Sequence, residues 1–322
     1  MKKYKIASLF AGIGGIDLGF ELAGAETVWA NEIDSFCGVT FTENFKNTDL
    51  VIDDILNVNG KDIPKIDILT GGFPCQPFSV AGYRKGFDDD RGNMFFEITR
   101  LILELEKNNN KPRVIFLENV KNLRTHDNGR TYRIIEEKLQ ELGYIVESKI
   151  MNSCEYGNTP QNRERIFILG FLREEDYKNF KWPEKIQLTE KLNDIIGFSE
   201  VVADKYYYTE NVKCYPMVKE GIQKTNTIYQ FRRVYVRENK GKLCPTLTAN
   251  MGMGGHNVPL ILDKNKNIRK LTPRECLLLQ GFPASYNIPE ELADSKVYKQ
   301  AGNAVSVGVI RRLAENIIKA MR

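Results

Sequence analysis

Short apolar runs alternate with amphipathic stretches through the first half of the chain. Buried parallel strands consist of short continuous apolar runs, whereas helices that cover a sheet repeat apolar residues every three or four positions. The apolar runs predict strands at 5–10, 27–31, 66–70, 114–118 and 166–171, and the amphipathic stretches predict helices at 16–23, 34–45, 94–105 and 131–142. This alternation predicts the α/β class: a parallel sheet with helices on both faces.

The alternation stops in the second half. From about 176 to 268 the sequence is rich in Asn, Lys and Tyr and has no strong helical periodicity, and helical patterns return at 272–280 and 304–320. We therefore expect a first domain at 1–175, a smaller, irregular and mainly β domain at 176–268, and a return segment at 269–322 that completes the first domain.

A glycine-rich turn follows the first predicted strand. The sequence FAGIGG occupies 10–15, and Glu32 follows the second strand. Glycines let the backbone approach a ligand closely, and an acidic residue at this place can bind ribose hydroxyls. The spacing differs from GxGxxG and favours a nucleoside without a pyrophosphate over a dinucleotide. A plain structural turn is the alternative for this motif taken alone.

Three further motifs lie at predicted strand ends or starts. Cys75 sits in GGFPCQP at 71–77, where a lowered thiol pKa would make it nucleophilic. Glu118 ends another strand, and Arg163 and Arg165 lie two positions apart at the start of the last one, so we expect them to point the same way. Two guanidinium groups beside a carboxyl and a thiol suit a planar, oxygen-bearing substrate.

Each of these motifs also has a purely structural interpretation. The arginines and the carboxyl can form a surface salt-bridge cluster, and a lone cysteine is usually a buried structural thiol. We retain that interpretation for four other cysteines, namely Cys37, Cys154, Cys214 and Cys276.

Composition narrows the functional classes. With 42% apolar and 27% charged residues, the chain can form a sizeable core and remain soluble. The chain has two histidines, and its six cysteines form no CxxC pair. These observations argue against a metal site or a disulfide framework and favour a reducing compartment. The net charge of +4 gives no sign of a nucleic-acid partner, so any basic surface must be local.

The amino-terminal sequence superficially resembles a signal peptide. Three lysines precede an apolar run at 6–16, but glycines interrupt the run and acidic residues follow it, so a strand, a turn and a helix are the better interpretation. No run approaches the roughly 18 to 20 apolar residues that span a bilayer. We expect a cytoplasmic protein that does not bind membranes.

Taken in order, these motifs resemble those of the cytosine-C5 DNA methyltransferases of bacterial restriction–modification systems. FAGIGG at 10–15, NEID at 31–34 and Asp54-Ile55 resemble the three cofactor motifs, and GFPCQ at 72–76 resembles the catalytic loop. ENV at 118–120 and QNRER at 161–165 resemble the base-holding motifs, while LTPREC at 271–276, QGFP at 280–283 and GNAV at 302–305 resemble the closing motifs.

Two positions depart from the family pattern. Asp53 stands where glycine commonly precedes the third-motif aspartate, and Ile33 stands where tryptophan often stacks on the adenine. The second departure predicts weaker cofactor binding with unchanged chemistry.

The resemblance implies a Rossmann-like sheet that binds S-adenosyl-L-methionine. The thiolate of Cys75 would add to C6 of cytosine, Glu118 would act at N3, and Arg165, supported by Arg163, would hold O2. No metal is expected. The implied cofactor-binding residues are Phe10, Ala11, Gly12, Gly14, Gly15, Glu32, Ile33, Asp54, Ile55, Pro74 and Asn303.

The resemblance also makes the domain at 176–268 a target-recognition domain for double-stranded DNA, in which the target base is flipped out of the duplex. Between 213 and 242, eight basic residues stand against two acidic ones, interleaved with aromatic residues. Gln230 is expected to fill the space left by the flipped base, and Arg232 and Arg233 to contact guanine. The other expected DNA contacts are Ser79, Arg84 and Lys85 of a closing loop, and Thr246 and Thr248.

Three alternatives stay open. A tRNA cytosine-C5 methyltransferase of the related eukaryotic type is disfavoured by the long second domain. A non-catalytic DNA-binding protein on the same scaffold is disfavoured by the intact Cys75, Glu118 and Arg165, and a nicotinamide oxidoreductase by the glycine spacing. We expect a monomer whose cognate restriction endonuclease acts on the same site without direct contact.

Overall fold

The computed structural model describes residues 3–74, 94–253 and 257–322. The chain divides into two compact units. The first unit comprises Met1–Met151, Glu164–Glu184 and Val309–Arg322, and the second comprises Asn152–Arg163 and Lys185–Gly308. These limits differ from those of the predicted domains, because 152–163 and most of the return segment, 269–308, group with the second unit.

A seven-stranded sheet forms the centre of the first unit, in the order β3-β2-β1-β4-β5-β7-β6. The pairs among β1 to β5 are parallel, which confirms the predicted class, and helices cover both faces. The bounds are β1 Lys5–Leu9, β2 Glu26–Glu32, β3 Asp49–Ile52, β4 Ile68–Gly71, β5 Val114–Val120, β6 Ile145–Asn152 and β7 Glu164–Phe171.

The fully parallel sheet expected from the sequence is wrong at one strand, since β7 runs antiparallel to β5. Its apolar run is buried in either direction, so the hydrophobic pattern that locates the strand does not determine its direction. Strands β3 and β6 were not predicted, because both are mostly half-exposed and their apolar runs are no longer than three residues.

The predicted helices of the first half are all present. Within the described residues, the α-helices are α1 Gly15–Leu22, α2 Ser35–Asn44, α3 Met94–Lys107, α4 Arg130–Glu141, α5 Ser153–Tyr156, α6 Glu174–Asn179, α7 Leu192–Ile195, α8 Tyr215–Gly221, α9 Pro273–Leu278, α10 Asp294–Asn303 and α11 Val307–Ala320. Among them, the short helices α5, α6, α7 and α8 and the longer α10 were not predicted.

Neighbouring residues of β5 show how the two faces of the sheet are covered. Ile115 and Leu117 belong to the main core cluster together with Phe95 of α3. Phe116 points to the opposite face, as strand alternation requires, and packs edge-on against Phe20 of α1 with the ring centroids 5.1 Å apart.

The second unit contains a smaller four-stranded sheet in the order β11-β10-β8-β9, with antiparallel neighbours. Its strands are β8 Tyr229–Phe231, β9 Val236–Glu238, β10 Leu260–Leu262 and β11 Ile268–Lys270. The short strands and the small core around Tyr229 and Leu260 agree with the irregular, mainly β character expected from the sequence.

Helix α9 begins where the sequence predicts. Thr272 and Glu275 form a capping box, in which the Thr272 side chain accepts from the Glu275 amide and the Glu275 carboxylate accepts from the Thr272 amide. Across the described residues, no helix has the length and apolar character needed to cross a membrane.

Candidate active site

The ends of the parallel strands form one edge of the main sheet. Leu9 of β1 is in register with Gly71 of β4, and Gly71 is in register with Leu117 of β5. The residues that follow these three, Gly72 and Glu118 among them, therefore lie in one row. Because β1 and β4 are adjacent in the sheet but distant in the chain, the row crosses the topological switch point, where open α/β sheets bind ligands.

The loop after β1 depends on glycine at two positions. Gly12 and Gly14 have φ angles of +58° and +77°, a region that favours glycine. A Cβ on Gly14 would lie 2.2 Å from the ring of Phe45, whereas around a Cβ on Gly12 no atom of the described residues lies within 4 Å. Gly14 is therefore needed for packing, while Gly12 exposes the backbone to open space. Phe10 also has a positive φ of 53°.

Glu32 at the end of β2 holds this loop. Its two carboxylate oxygens accept hydrogen bonds from the amides of Gly12 and Asp34, both at 2.8 Å. An ionised carboxylate has about four acceptor positions, so Glu32 retains capacity for ligand hydroxyls. The next residue, Ile33, is 64% exposed and presents apolar surface at the same edge.

The third predicted cofactor motif begins at the end of β3. The Asn31 side chain donates to the carbonyl of Asp53 at 2.9 Å, and the Asp54 side chain accepts from the amide of Leu56 at 3.0 Å. Asp54 is partly exposed, but Ile55 is buried in the main core. The Ile55 side chain is thus not available to a ligand, although its backbone lies in the predicted motif.

A buried carboxyl lies beneath the glycine loop. Asp17, in the first turn of α1, is fully buried, and the Ser8 hydroxyl donates to it at 3.1 Å. Burial is the main cause that raises the pKa of Asp17 to about 7. Sequence reasoning did not identify this group, since one acidic residue in a first helical turn is common.

Glu118 and Arg165 meet on neighbouring strands. Glu118 of β5 is opposite Phe167 of β7, so Arg165, two positions away, is its diagonal neighbour on the same face. The Arg165 Nε atom lies 3.0 Å from Glu118 Oε1, and both side chains are largely buried. The structure therefore brings together the predicted base-holding carboxyl and one of its two predicted arginines.

The segment leading to Cys75 is anchored beside this pair. The Asn119 side chain donates to the carbonyl of Phe73 at 2.8 Å, and Glu118 Oε2 lies 3.7 Å from the position of a Cβ on Gly72. Pro74 is exposed. Asn119 was missed as a candidate, although a polar side chain at a buried strand end must find a partner. The predicted residues Cys75, Ser79, Arg84 and Lys85 lie outside the described residues.

Arg163 has a different environment from Arg165. It belongs to the second unit, is 2% exposed, and its terminal nitrogens donate to the carbonyls of Leu247, Gly302 and Ala304 at 2.8, 3.1 and 2.5 Å. The expectation that both arginines point the same way is wrong, because β7 begins at residue 164 and strand alternation does not extend to Arg163.

Gln161 has a similar role within the second unit. Its amide donates to the carbonyl of Leu279 at 2.6 Å and accepts from the amide of Leu247 at 3.2 Å. We call Gln161 and Arg163, with the backbone groups at 247, 279, 302 and 304 that they bind, the brace.

The brace holds two segments that contain predicted site residues. The Thr246 hydroxyl donates to the Asn162 carbonyl at 2.6 Å, and Thr248 is exposed. A Cβ on Gly302 would lie 2.1 Å from the carbonyl carbon of Thr248, so only glycine allows this approach of the two backbones. Asn303, the predicted cofactor contact that follows, is exposed at the end of α10.

The hairpin of β8 and β9 carries the other predicted DNA contacts. The side-chain amide oxygen of Gln230, Oε1, accepts from Arg232 at 3.0 Å and from Arg237 at 2.6 Å. Arg233 is exposed, with a φ of +64°, and Tyr235 is 51% exposed. Gln230, Arg232 and Arg233 have predicted roles, whereas Arg237 has none, because its position opposite Gln230 depends on the register of the two strands.

The other cysteines divide into two groups. Cys37 and Cys276 are buried as expected, and burial raises the pKa of the Cys276 thiol well above its usual value. The expectation is wrong for Cys154 and Cys214, which are partly exposed.

The strand order of the main sheet and the row of polar residues at its edge define a Rossmann-like α/β protein. In overall fold the chain is similar to a mutant form of DNMT2 from Spodoptera frugiperda, with a TM-score of 0.74 and 22% identity over 98% of this chain and 100% of that one. At this level of identity the likeness concerns the fold alone.

The model of the C-5 cytosine-specific DNA methylase family matches residues 4–319, and the chain belongs to this family. It is 56% identical to the Type II methyltransferase M.Bsp6I of Bacillus sp. (strain RFL6), over 98% of this chain and 99% of that protein. It is 36% identical to the Type II methyltransferase M.HhaI of Haemophilus parahaemolyticus, over 97% and 94%. The chain is a DNA cytosine-5 methyltransferase.

Proposed function

We propose that this enzyme methylates carbon 5 of one cytosine in a short duplex site, with the base flipped out and bound covalently through Cys75. One observation carries the proposal: the Glu118–Arg165 pair lies beside the anchored start of the segment that leads to Cys75. Because its relatives are named Type II methyltransferases, we infer a modification enzyme of a restriction–modification system. It would act as a monomer, and its endonuclease would act on the same site separately.

The edge of the main sheet fits S-adenosylmethionine. Gly12 opens backbone to free space, Glu32 retains acceptor positions for ribose hydroxyls, and Ile33 offers an apolar face to an adenine ring. When bound, this cofactor supplies the methyl group that carbon 5 accepts. The further residues proposed to hold it are Phe10, Ala11, Gly14, Gly15, Asp54, Pro74 and the backbone of Ile55. The resemblance also implies Asn303.

The residues of the site would make carbon 5 nucleophilic. The Cys75 thiolate adds to C6 and forms a carbon–sulfur bond, while Glu118 protonates N3 and the displaced electron density moves to C5. Arg165 donates to O2 and stabilises the charge that develops there. After methylation, the C5 proton passes to solvent, the C5–C6 double bond is restored as the Cys75 thiolate leaves, and N3 returns its proton to the Glu118 carboxylate.

This chemistry requires the base to leave the duplex, which costs a few kcal/mol that DNA contacts must offset. We assign these contacts to the β8–β9 hairpin and the segments around it. Gln230 would occupy the space of the departed cytosine, and Arg232 and Arg233 would bind guanine or phosphate. Thr246 and Thr248 would contact the same part of the DNA. From the other predicted loop, Ser79, Arg84 and Lys85 would bind the backbone.

Methyl transfer from tritiated S-adenosylmethionine tests the proposal. Wild-type enzyme should label duplex DNA, and bisulfite sequencing of DNA from an expressing host should show one modified cytosine within a short repeated site. The Cys75→Ala variant should lose transfer and retain cofactor binding by calorimetry. Cys214→Ala, which removes a partly exposed thiol far along the chain, is the matched control and should remain active.

Two results would contradict the proposal. Transfer by the Cys75→Ala variant would exclude Cys75 as the nucleophile. Preferential labelling of tRNA when duplex DNA and tRNA compete would replace the proposed substrate.

A further inference from the structure

The amide oxygen of Gln230 is shared by two arginines. Gln230 of β8 is directly opposite Arg237 of β9, and Arg232, two residues after Gln230, approaches the same oxygen. The two hydrogen bonds to this oxygen, at 3.0 and 2.6 Å, gather the three side chains into one cluster.

The chemistry of the cluster fixes which end of the amide faces outward. A guanidinium group has five N–H donors and no acceptor, so the atom of Gln230 between the two arginines must be the oxygen. The Nε2 amino group, with its two donors, is therefore directed away from them. Gln230 thus presents a hydrogen-bond donor to a partner, whereas an unconstrained glutamine can present either end.

The charge around the cluster favours a partner rich in acceptors. Two guanidinium groups share one neutral oxygen, and the carboxylate of the same hairpin, Glu238, binds Lys224 at 3.0 Å. The described contacts of Arg232 and Arg237 with Gln230 leave most of their positive charge uncompensated. Oxygen and nitrogen acceptors on guanine, or phosphate oxygens, suit such a surface.

Flipping of cytosine creates such an acceptor. In the C·G pair, O6 of guanine accepts a hydrogen bond from the cytosine amino group, and it loses this bond when cytosine leaves. An acceptor left unsatisfied inside an interface carries a substantial free-energy cost. The amino group that Gln230 presents matches the donor that guanine has lost.

We propose that Arg237 is a positioning residue that fixes the Gln230 amide with its amino group toward O6 of the guanine paired with the target cytosine. The inference rests on the proposed function, in which Gln230 occupies the space of the flipped base. Arg237 acts through Gln230 and touches no reacting atom.

The test is a coupling experiment between residue 237 and O6. Duplexes carrying the mapped site are made with guanine, or with 2-aminopurine, which lacks O6, opposite the target cytosine. Because 2-aminopurine pairs less well with cytosine, it lowers the cost of flipping alike for every variant. The 2-aminopurine penalty is therefore measured as the ratio of the Kd values for the two duplexes and compared between enzymes. This ratio should be about tenfold higher for wild type than for Arg237→Gln, and the variant should bind the guanine duplex about tenfold more weakly than wild type does.

Three variants separate positioning from other roles. Lys264→Gln removes one exposed charge from the same unit and should behave as wild type. Arg237→Lys keeps a donor to Gln230 and should restore part of the dependence on O6. Gln230→Glu preserves the contact with both arginines but presents no amino group, so it should lose the dependence on O6 and remain folded.

The inference is overturned if Arg237→Gln retains the full 2-aminopurine penalty, or if it weakens both duplexes equally with a smaller salt dependence. The latter is the behaviour of a phosphate contact. It is also overturned if Gln230→Glu keeps the wild-type dependence on O6. In each case wild-type methyl transfer is unaffected, whereas failure of the proposed function would appear as absence of that transfer.

Discussion

The two units hold their site residues in place by different means. At the edge of the first unit, the ladder of parallel strands aligns the glycine loop, Glu32, Gly72 and Glu118. In the second unit, the segments near Thr248 and Asn303 are held by the side chains of Gln161 and Arg163, which bind backbone carbonyls. In the first unit many backbone hydrogen bonds together hold the site residues in place. In the second unit a few side chains do so.

This difference predicts unequal sensitivity to single substitutions. A strand end stays in place when one neighbouring side chain is removed, because the ladder remains. The brace concentrates several bonds in each side chain, so that loss of one leaves several buried backbone polar groups without that partner.

The largest effect should come from Arg163→Met. The variant removes the hydrogen bonds to three buried carbonyls, and each carbonyl left unsatisfied destabilises the fold by about 1–3 kcal/mol. The free energy of unfolding should therefore fall by an amount on the order of 3–5 kcal/mol. Denaturant unfolding measures this loss, and hydrogen exchange should accelerate at 244–248 and 302–304 while β1 and β4 stay protected. Arg311→Met, which breaks an exposed pair with Glu315, should cost less than about 1 kcal/mol. Equal losses in the two variants would refute the special role of the brace.

An intermediate, pH-dependent effect is expected from Asp17→Asn. Because burial raises the pKa of Asp17 to about 7, the folded state holds its proton more tightly than the unfolded state does. This group therefore lowers stability progressively as pH rises from about 4 to about 7, and its cost is constant above that. The variant should gain stability relative to wild type across this range, by a few kcal/mol at pH 8.

Thermal unfolding of both proteins at pH 5, 6.5 and 8 measures the difference for Asp17→Asn. The asparagine keeps an acceptor for Ser8, so the fold should be retained. A pH-independent difference would show that Asp17 titrates normally and that the space beneath the glycine loop is accessible to water.

The smallest effect should come from Ile33→Trp. An indole at this exposed position can stack on an adenine, a contact worth about 0.5–1.5 kcal/mol, so the Kd for S-adenosylmethionine should fall roughly two- to tenfold. Calorimetry measures the affinity, with Leu22→Trp, also half-exposed, as the control. If the two variants bind the cofactor equally, the adenine does not lie against Ile33.

The contrast between the units also explains what could be predicted from the sequence. Strands β1, β2, β4 and β5 have buried apolar runs, and a residue placed just after such a run belongs to the edge of the sheet. Glu32 and Glu118 were therefore located by local pattern alone. The direction of β7 was not, because a buried run is equally apolar in both directions.

The contacts of Arg163 could not be predicted in the same way. Its carbonyl partners lie 84, 139 and 141 residues away, and a carbonyl is present at every position, so the sequence contains no signal for the choice. Arg237 was missed for a related reason. Its importance comes from the register that sets it opposite Gln230, and short strands such as β8 and β9 have too few residues to fix a register from their pattern.

The brace has a consequence for how sequence preference diverges among related enzymes. Because the brace binds backbone groups, nearly any amino acid can stand at the positions that supply them. Gly302 is the exception, since its backbone approaches Thr248 too closely for a Cβ. The backbone groups that the brace binds lie outside the β8–β9 hairpin. Under the proposal that the hairpin contacts DNA, its residues can change without loss of the brace, so we expect that grafting 229–238 between relatives alters target preference.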